Sequence, residues 1–224
     1  MSKAKTWGTD YDKLVEELTP LRENGKKVIM CSGTFDLFHI GHMRMLAVAK
    51  SKGDILIVAV KSDRAAALKK EDPPVLKEDL RMETIANCIS ADHVVMVDYE
   101  PLRPVSVEFE NTASFQWLNM MLPVVEAIKP DIFIHENNPS IQKAREELFS
   151  LYNVKSIIHQ RTEGISTTEI IDQIKTRLLR KMQWNKESIC MFSFFLVKSQ
   201  KSRRIMKKDA VIRKFFHNFE KTWL

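Results

Sequence analysis

Two histidines three positions apart, His39 and His42, are separated by Ile40 and Gly41 and preceded by Ser32-Gly33-Thr34-Phe35-Asp36-Leu37-Phe38. Paired imidazoles suit a site that must donate hydrogen bonds to an anion. The apolar run Val28-Ile29-Met30-Cys31 before them reads as a buried strand, and Met43 to Lys50 after them reads as a helix. The pair therefore stands at a helix N-terminus, where backbone N–H groups and the positive end of the dipole favour a phosphate. Gly41, between the rings, permits a close backbone approach. The chemistry this pattern suits is reaction at a nucleotide α-phosphate.

A second segment repeats the arrangement. Arg161-Thr162-Glu163-Gly164-Ile165-Ser166-Thr167-Thr168 again follows a strand-like run and precedes a helical one. Ser166 and Thr167 are good N-cap residues, and capping alone is the competing reading. The functional reading gives Arg161 and the capped helix the β- and γ-phosphates of a nucleoside triphosphate.

These residues need a scaffold that brings two strand-to-helix turns together. Strand-length apolar runs at 27–33, 54–60, 93–97, 131–135 and 154–158 alternate with helical segments at 41–52, 77–90, 115–128, 139–152 and 167–180. Continuous apolar strands are expected where helices cover both faces. The pattern predicts an α/β fold with a Rossmann-like, doubly wound, parallel five-stranded sheet. Its ligand should lie beyond the carboxyl ends of the strands, and 34–42, 61–70, 135–138 and 160–168 carry polar residues there. Residues 1–26 read as a helical leader, with Leu14, Leu18 and Leu21 on one side of a helix over 10–24 that stops at Gly25. The α/β domain would span 27–180, and 98–114 reads as a surface loop.

Composition narrows the class. The chain has 224 residues, 44% hydrophobic and 29% charged, as in an ordinary globular protein. Cys31, Cys88 and Cys190 lie far apart, with no metal-ligand spacing, which suits a reducing compartment. The first residues carry no apolar core of a signal peptide, so a cytoplasmic location is expected. The formal charge of +6 is uneven: residues 181–224 hold eleven Lys or Arg against three Asp or Glu. The rest is slightly acidic, so no nucleic-acid partner is expected. In that extension Ile205, Ile212, Phe215, Phe216, Phe219 and Trp223 form one helical stripe opposite Arg203, Lys207, Lys214 and Lys221. Such a basic helical tail suits either contact with an anionic membrane surface or packing in a dimer.

Gly33-Thr34-Phe35-Asp36 with His39-Ile40-Gly41-His42, and the Arg161 to Thr168 run, resemble the cytidylyltransferase-like nucleotidyltransferase family. The motifs are most similar to those of glycerol-3-phosphate cytidylyltransferases, then to the nucleotidyltransferase domain of ADP-heptose synthases. The resemblance covers about residues 27–180. It implies attack of a substrate phosphate on the α-phosphorus of CTP or ATP, with Mg²⁺ on the triphosphate and pyrophosphate leaving. His39 and His42 would stabilise the α-phosphate. Asp36 would orient the loop, with Gly33, Thr34, Phe35 and Gly41 lining the nucleotide. Lys69 and Lys70 would reach the phosphates, and Arg161, Ser166, Thr167 and Thr168 would bind the triphosphate. Asp63 and Arg81 match positions near the substrate, a surface helix position being the alternative for Arg81. His135 and Asn137 would face the nucleotide. Family members are often dimers. Class I aminoacyl-tRNA synthetases share a HIGH signature, but the chain has no KMSKS-like sequence and no room for tRNA-binding domains.

Three departures leave the acceptor open. Ile89 stands where cytidylyltransferases carry Arg or Lys three residues before the counterpart of Asp92. Glu136 replaces a Gly after the fourth predicted strand, and the stretch from Asp98 to Lys129 is longer than in the glycerophosphate enzymes. A catalytically silent nucleotide-binding regulator is the reading from a different class. Trp117, Met120 and Met121, at helical spacing, are expected in the core, and His93 and His159 in structural roles at strand ends.

Overall fold

The structure is a computed structural model that describes residues 3–68, 73–99 and 112–181. Lys69, Lys70 and the extension from residue 182 onward lie outside the described residues, and so do most of the 98–114 loop and the tail stripe. The chain divides into two compact units, Met1–Thr167 and Thr168–Leu224. The described part of the second is 168–181, all of helix α7 (167–181) but its first residue. Among the described residues no helix is long and apolar enough to cross a membrane.

The first unit is a parallel sheet of six strands rather than five. In chain order its elements are β1 (Lys5–Thr6), α1 (Tyr11–Glu23), β2 (Val28–Gly33), α2 (Ile40–Lys50), β3 (Ile55–Lys61), α3 (Asp63–Ala67) and α4 (Glu78–Ala86), followed by β4 (His93–Val97), α5 (Ala113–Ile128), β5 (Ile132–Glu136), a 3₁₀ turn (Pro139–Ile141), α6 (Gln142–Leu151) and β6 (Lys155–His159). The additional strand, β1, comes from the expected leader. It pairs with β4, and Trp7 Nε1 donates to His93 Nδ1 at 3.1 Å, which gives His93 its structural role. Helix α1 buries Leu14 and Leu18 in the core, so residues 1–26 are built into this unit.

Strand order is β1-β4-β3-β2-β5-β6. Moving outward from β2, the chain builds β3 and β4 on one side, then returns to build β5 and β6 on the other. The crevice outside the carboxyl ends of β2 and β5 is therefore the topological switch point, where such sheets bind ligands.

Alternate residues of β2 feed two separate cores. Val28 and Met30 pack with Leu14, Trp117, Val124, Phe133 and Phe149 on the α1, α5 and α6 side. Ile29 and Cys31 pack with Met45, Leu46, Ile85 and Ile134 on the α2 and α4 side. Burial on both faces accounts for the unbroken apolar runs of β2 and β3. Strand β6 differs: it is an edge whose Lys155, Ser156 and Ile158 are exposed. Trp117, Met120 and Met121 are buried as expected, although Trp117 also reaches the cleft described next.

Candidate active site

The turn between β2 and α2 is held in a costly conformation. Phe35 and Leu37 have φ of 55° and 43°, in the left-handed region that side chains other than Gly seldom adopt. Two buried groups hold it there. The Asp36 carboxylate accepts from Leu37 N–H at 3.0 Å, Val75 N–H at 2.9 Å and Leu76 N–H at 2.9 Å. Behind the turn, Arg81 is 0% exposed, which overturns the surface alternative. Its Nη1 donates to Thr34 O at 2.6 Å and Lys61 O at 2.7 Å, its Nε to Leu76 O at 2.9 Å, and its Nη2 to Asp63 Oδ1 at 2.7 Å. Asp63 and Arg81 thus meet each other, and neither is among the cleft-lining residues.

His39 is the N-cap of α2. Its Nδ1 accepts from Gly41 N–H at 3.1 Å, while His42 Nδ1 accepts from His39 N–H at 3.4 Å. This reciprocal arrangement copies a capping box with imidazoles in place of hydroxyl and carboxylate. Because both Nδ1 atoms accept, each neutral ring carries its proton on Nε2. The rings stack with centroids 3.9 Å apart, and Phe38 stacks on His42 at 5.5 Å. A Cβ on Gly41 would lie 2.9 Å from His39 Cε1 and Nδ1, so this glycine makes room for the His39 ring. Burial, reinforced by the adjoining His39 ring and the Arg161 charge, pushes the His42 pKa down to about 4. His42 is therefore a neutral hydrogen-bond donor at physiological pH.

The second motif closes on the first. Thr167 Oγ1 donates to the backbone oxygen of Asp36 at 2.8 Å, and Ile165 lies against Gly41. Ser166 is buried. Thr168 begins the second unit.

A cleft of about 450 Å³ opens at the carboxyl ends of β2, β3 and β5. It brings together Gly33, Thr34, Phe35, Asp36, His42, His135, Asn137, Arg161 and Thr167 from the sequence expectation. His39 joins through its stack on His42. Both nitrogens of His135 are engaged within the protein: Nδ1 donates to Glu136 O at 2.9 Å, and Nε2 accepts from Ser156 Oγ at 2.6 Å. Its ring therefore forms wall.

Lys61, Trp117 and Arg145 also line the cleft, and motif reading missed them. Lys61 opens the polar 61–70 stretch that follows a predicted strand, which was signal enough to single it out. Arg145 sits in a run of charges on α6 with no such signal.

The departure at Ile89 loses its bearing on the site. Ile89 is 68% exposed, and Asp92 precedes the first residue of β4, at the amino end of the sheet. Asp92 there accepts from Lys50 Nζ and Leu56 N–H. Glu136, by contrast, does line the cleft.

A model of the cytidylyltransferase-like family matches residues 30–173, a span that includes every cleft-lining residue. The bifunctional protein HldE of Citrifermentans bemidjiense is 30% identical over 167 residues, which cover 74% of this chain and 30% of that protein. The HldE of Campylobacter jejuni subsp. jejuni serotype O:6 is 31% identical over 175 residues, covering 75% and 33%. The chain thus spans about a third of the length of these curated relatives. A solved structure, the lipopolysaccharide core biosynthesis protein from Thermoplasma volcanium GSS1, is 24% identical with a TM-score of 0.46, covering 62% of this chain and 100% of that one. The family match extends over well more than half of the sequence and takes in both phosphate-type turns, and on that ground the chain belongs to the cytidylyltransferase-like nucleotidyltransferase family.

Proposed function

We propose that the chain transfers a nucleoside monophosphate from a nucleoside triphosphate to a phosphorylated acceptor and releases pyrophosphate. The observation that carries this reading is the convergence of His42, stacked on His39, with Arg161 on one cleft at the switch point of the sheet. An acceptor phosphate oxygen attacks the α-phosphorus and forms a new P–O bond. The bond from the α-phosphorus to the β-bridging oxygen breaks, and pyrophosphate leaves with that electron pair. The Nε2–H groups of His39 and His42 donate to the α-phosphate as charge builds on it. Such a donor, fixed in advance, is typically worth about 10²–10³ in rate. A His42 held neutral supplies the hydrogen bond without giving up its proton. Arg161 offsets charge on the β- and γ-phosphates.

Mg²⁺ is proposed to enter on the triphosphate. Among the described residues no three His, Cys, Asp or Glu group to hold a metal. Both Asp36 carboxylate oxygens already accept backbone N–H groups. Among the described residues the donor set therefore does not fit a protein-bound ion, and the metal would arrive held by the triphosphate.

Two features favour ATP with a sugar phosphate over CTP with a glycerol-3-phosphate-like acceptor. The relatives named HldE match the ADP-heptose synthase-like alternative. Glu136 stands in the cleft where glycerophosphate enzymes carry Gly. The second reading keeps the support of the Arg161 to Thr168 run. Pyrophosphate release should be measured with ATP and CTP, each paired with a sugar 1-phosphate and with sn-glycerol 3-phosphate. The reading predicts the highest rate with ATP and the sugar phosphate. Fastest release with CTP and glycerol 3-phosphate would return the second reading. Nucleotide binding without release from any pair would make the chain a silent regulator.

A further inference from the structure

Arg145, on α6, is 5% exposed and lines the cleft. Its Nε is buried without a hydrogen-bond partner, and no ion pair between described residues involves the side chain. The guanidinium lies over Trp117, with Cζ 5.7 Å from the ring centroid, and Trp117 is braced edge-on by Phe149. An arginine cannot shed its proton to escape burial. Among the described residues no carboxylate pairs with it in contact. His135 is engaged through both nitrogens and kept neutral by burial. Glu146, the next residue on the helix, acts on it through space only and accepts from Gln142 instead, and Glu136 is exposed. A buried cation with an unpartnered Nε and no carboxylate in contact is costly to the fold. One retained at the wall of a cleft is built to receive an anion from outside.

Position distinguishes that anion from the triphosphate. His42 contacts Phe35, which packs with Met45 in the α2-side core. Arg145 contacts Trp117, which packs with Phe133 in the core on the opposite face. The two faces meet where β2 and β5 end side by side, with Cys31 level with Ile134. We infer that Arg145, braced by Trp117, is the subsite for the phosphate of the acceptor, which it presents to the α-phosphorus from the face opposite His42. This rests on the nucleotidyltransferase reading. A guanidinium fork engages two phosphate oxygens and leaves the third to attack. No proton moves to or from the arginine.

The test uses the full chain, with inorganic phosphate as the probe for this subsite and α,β-methylene-ATP filling the triphosphate site. Calorimetric titration should show Arg145→Gln binding the nucleotide analogue as the wild type does, and phosphate at least about 30-fold more weakly. Arg145→Lys, which keeps the charge but loses the fork, should fall between. Arg145→Met should melt no lower than the wild type without ligand, because it removes a buried charge that no contacting carboxylate offsets. Unchanged phosphate affinity in Arg145→Gln overturns the proposal. Weaker analogue binding with phosphate unaffected also overturns it, because the guanidinium then serves the nucleotide. A clearly lower melting temperature for Arg145→Met overturns it too, by making the residue structural. Repeating the phosphate titration without nucleotide separates the two readings. If the wild type binds no analogue, the nucleotidyltransferase reading fails. Phosphate binding lost in Arg145→Gln would then still support the anion site.

Discussion

Arg81 and Arg145 are both buried, and they differ in what surrounds them. Arg81 lies behind the histidine turn with three carbonyls and the Asp63 carboxylate around it. Arg145 stands in the wall of the cleft with an aromatic face and an unpartnered Nε. The first is a fastener: it ties the ends of β2 and β3 to α4, so that a turn with two left-handed residues can hold its shape. The second has its desolvation cost only partly offset inside the protein, by the Trp117 face and the through-space charge of Glu146. The same side chain thus marks a finished part of the molecule and a part that a ligand completes.

That contrast can be broken most forcefully by truncating each arginine. Arg81→Met strands three carbonyls and a half-buried carboxylate and should lower unfolding free energy by about 3–5 kcal/mol, read from urea titration. A loss no larger than that of Arg145→Met would erase the distinction. The function of the fastened region comes next. His42→Ala should lower turnover by about 10²–10³ while nucleotide affinity changes little, in steady-state kinetics and direct binding. A variant that loses affinity and keeps turnover would move His42 out of the transition state. Gly41→Ala should push the His39 ring from its cap and reduce turnover by up to about 10²-fold, with stability nearly kept. Wild-type rates in that variant would mean the stacked pair tolerates displacement.

The smallest effect is on pH. His42 is held near 4 in the fold against its ordinary 6.5. The unfolded chain therefore binds more protons between those values, so the stabilisation is complete above about 6.5 and declines as pH falls toward 4. Melting temperature should drop across that window, and less steeply in His42→Gln. Equal slopes would show that the other buried histidines, His93 and His135, carry the effect.

Much of this was legible in the sequence because it is local. The strand, the turn and the helix that flank His39 and His42 are contiguous, and the same holds for Arg161 to Thr167. The elements that escaped notice lack periodicity. Lys5 and Thr6 are two exposed residues that become a strand only by pairing with His93 and Val94. Helix α3 is five residues long, opened by Ser62 Oγ accepting from Ala65 N–H. Arg145 sits near Lys143, Glu146 and Glu147, and in sequence this reads as a solvated helix face. Its burial is decided by Trp117, which lies on another helix. Ile89 errs the other way: it stands three residues before Asp92, but linear order does not say which end of the sheet a residue occupies.

The most direct test is a ³¹P NMR time course of the full chain with ATP and a sugar 1-phosphate, run for the wild type and His42→Ala. The account predicts a new diphosphate diester and pyrophosphate appearing together in equal amounts with the wild type, slowed about 10²–10³-fold in the variant. ATP that binds yet yields neither product, or an equal rate in the two proteins, would contradict it.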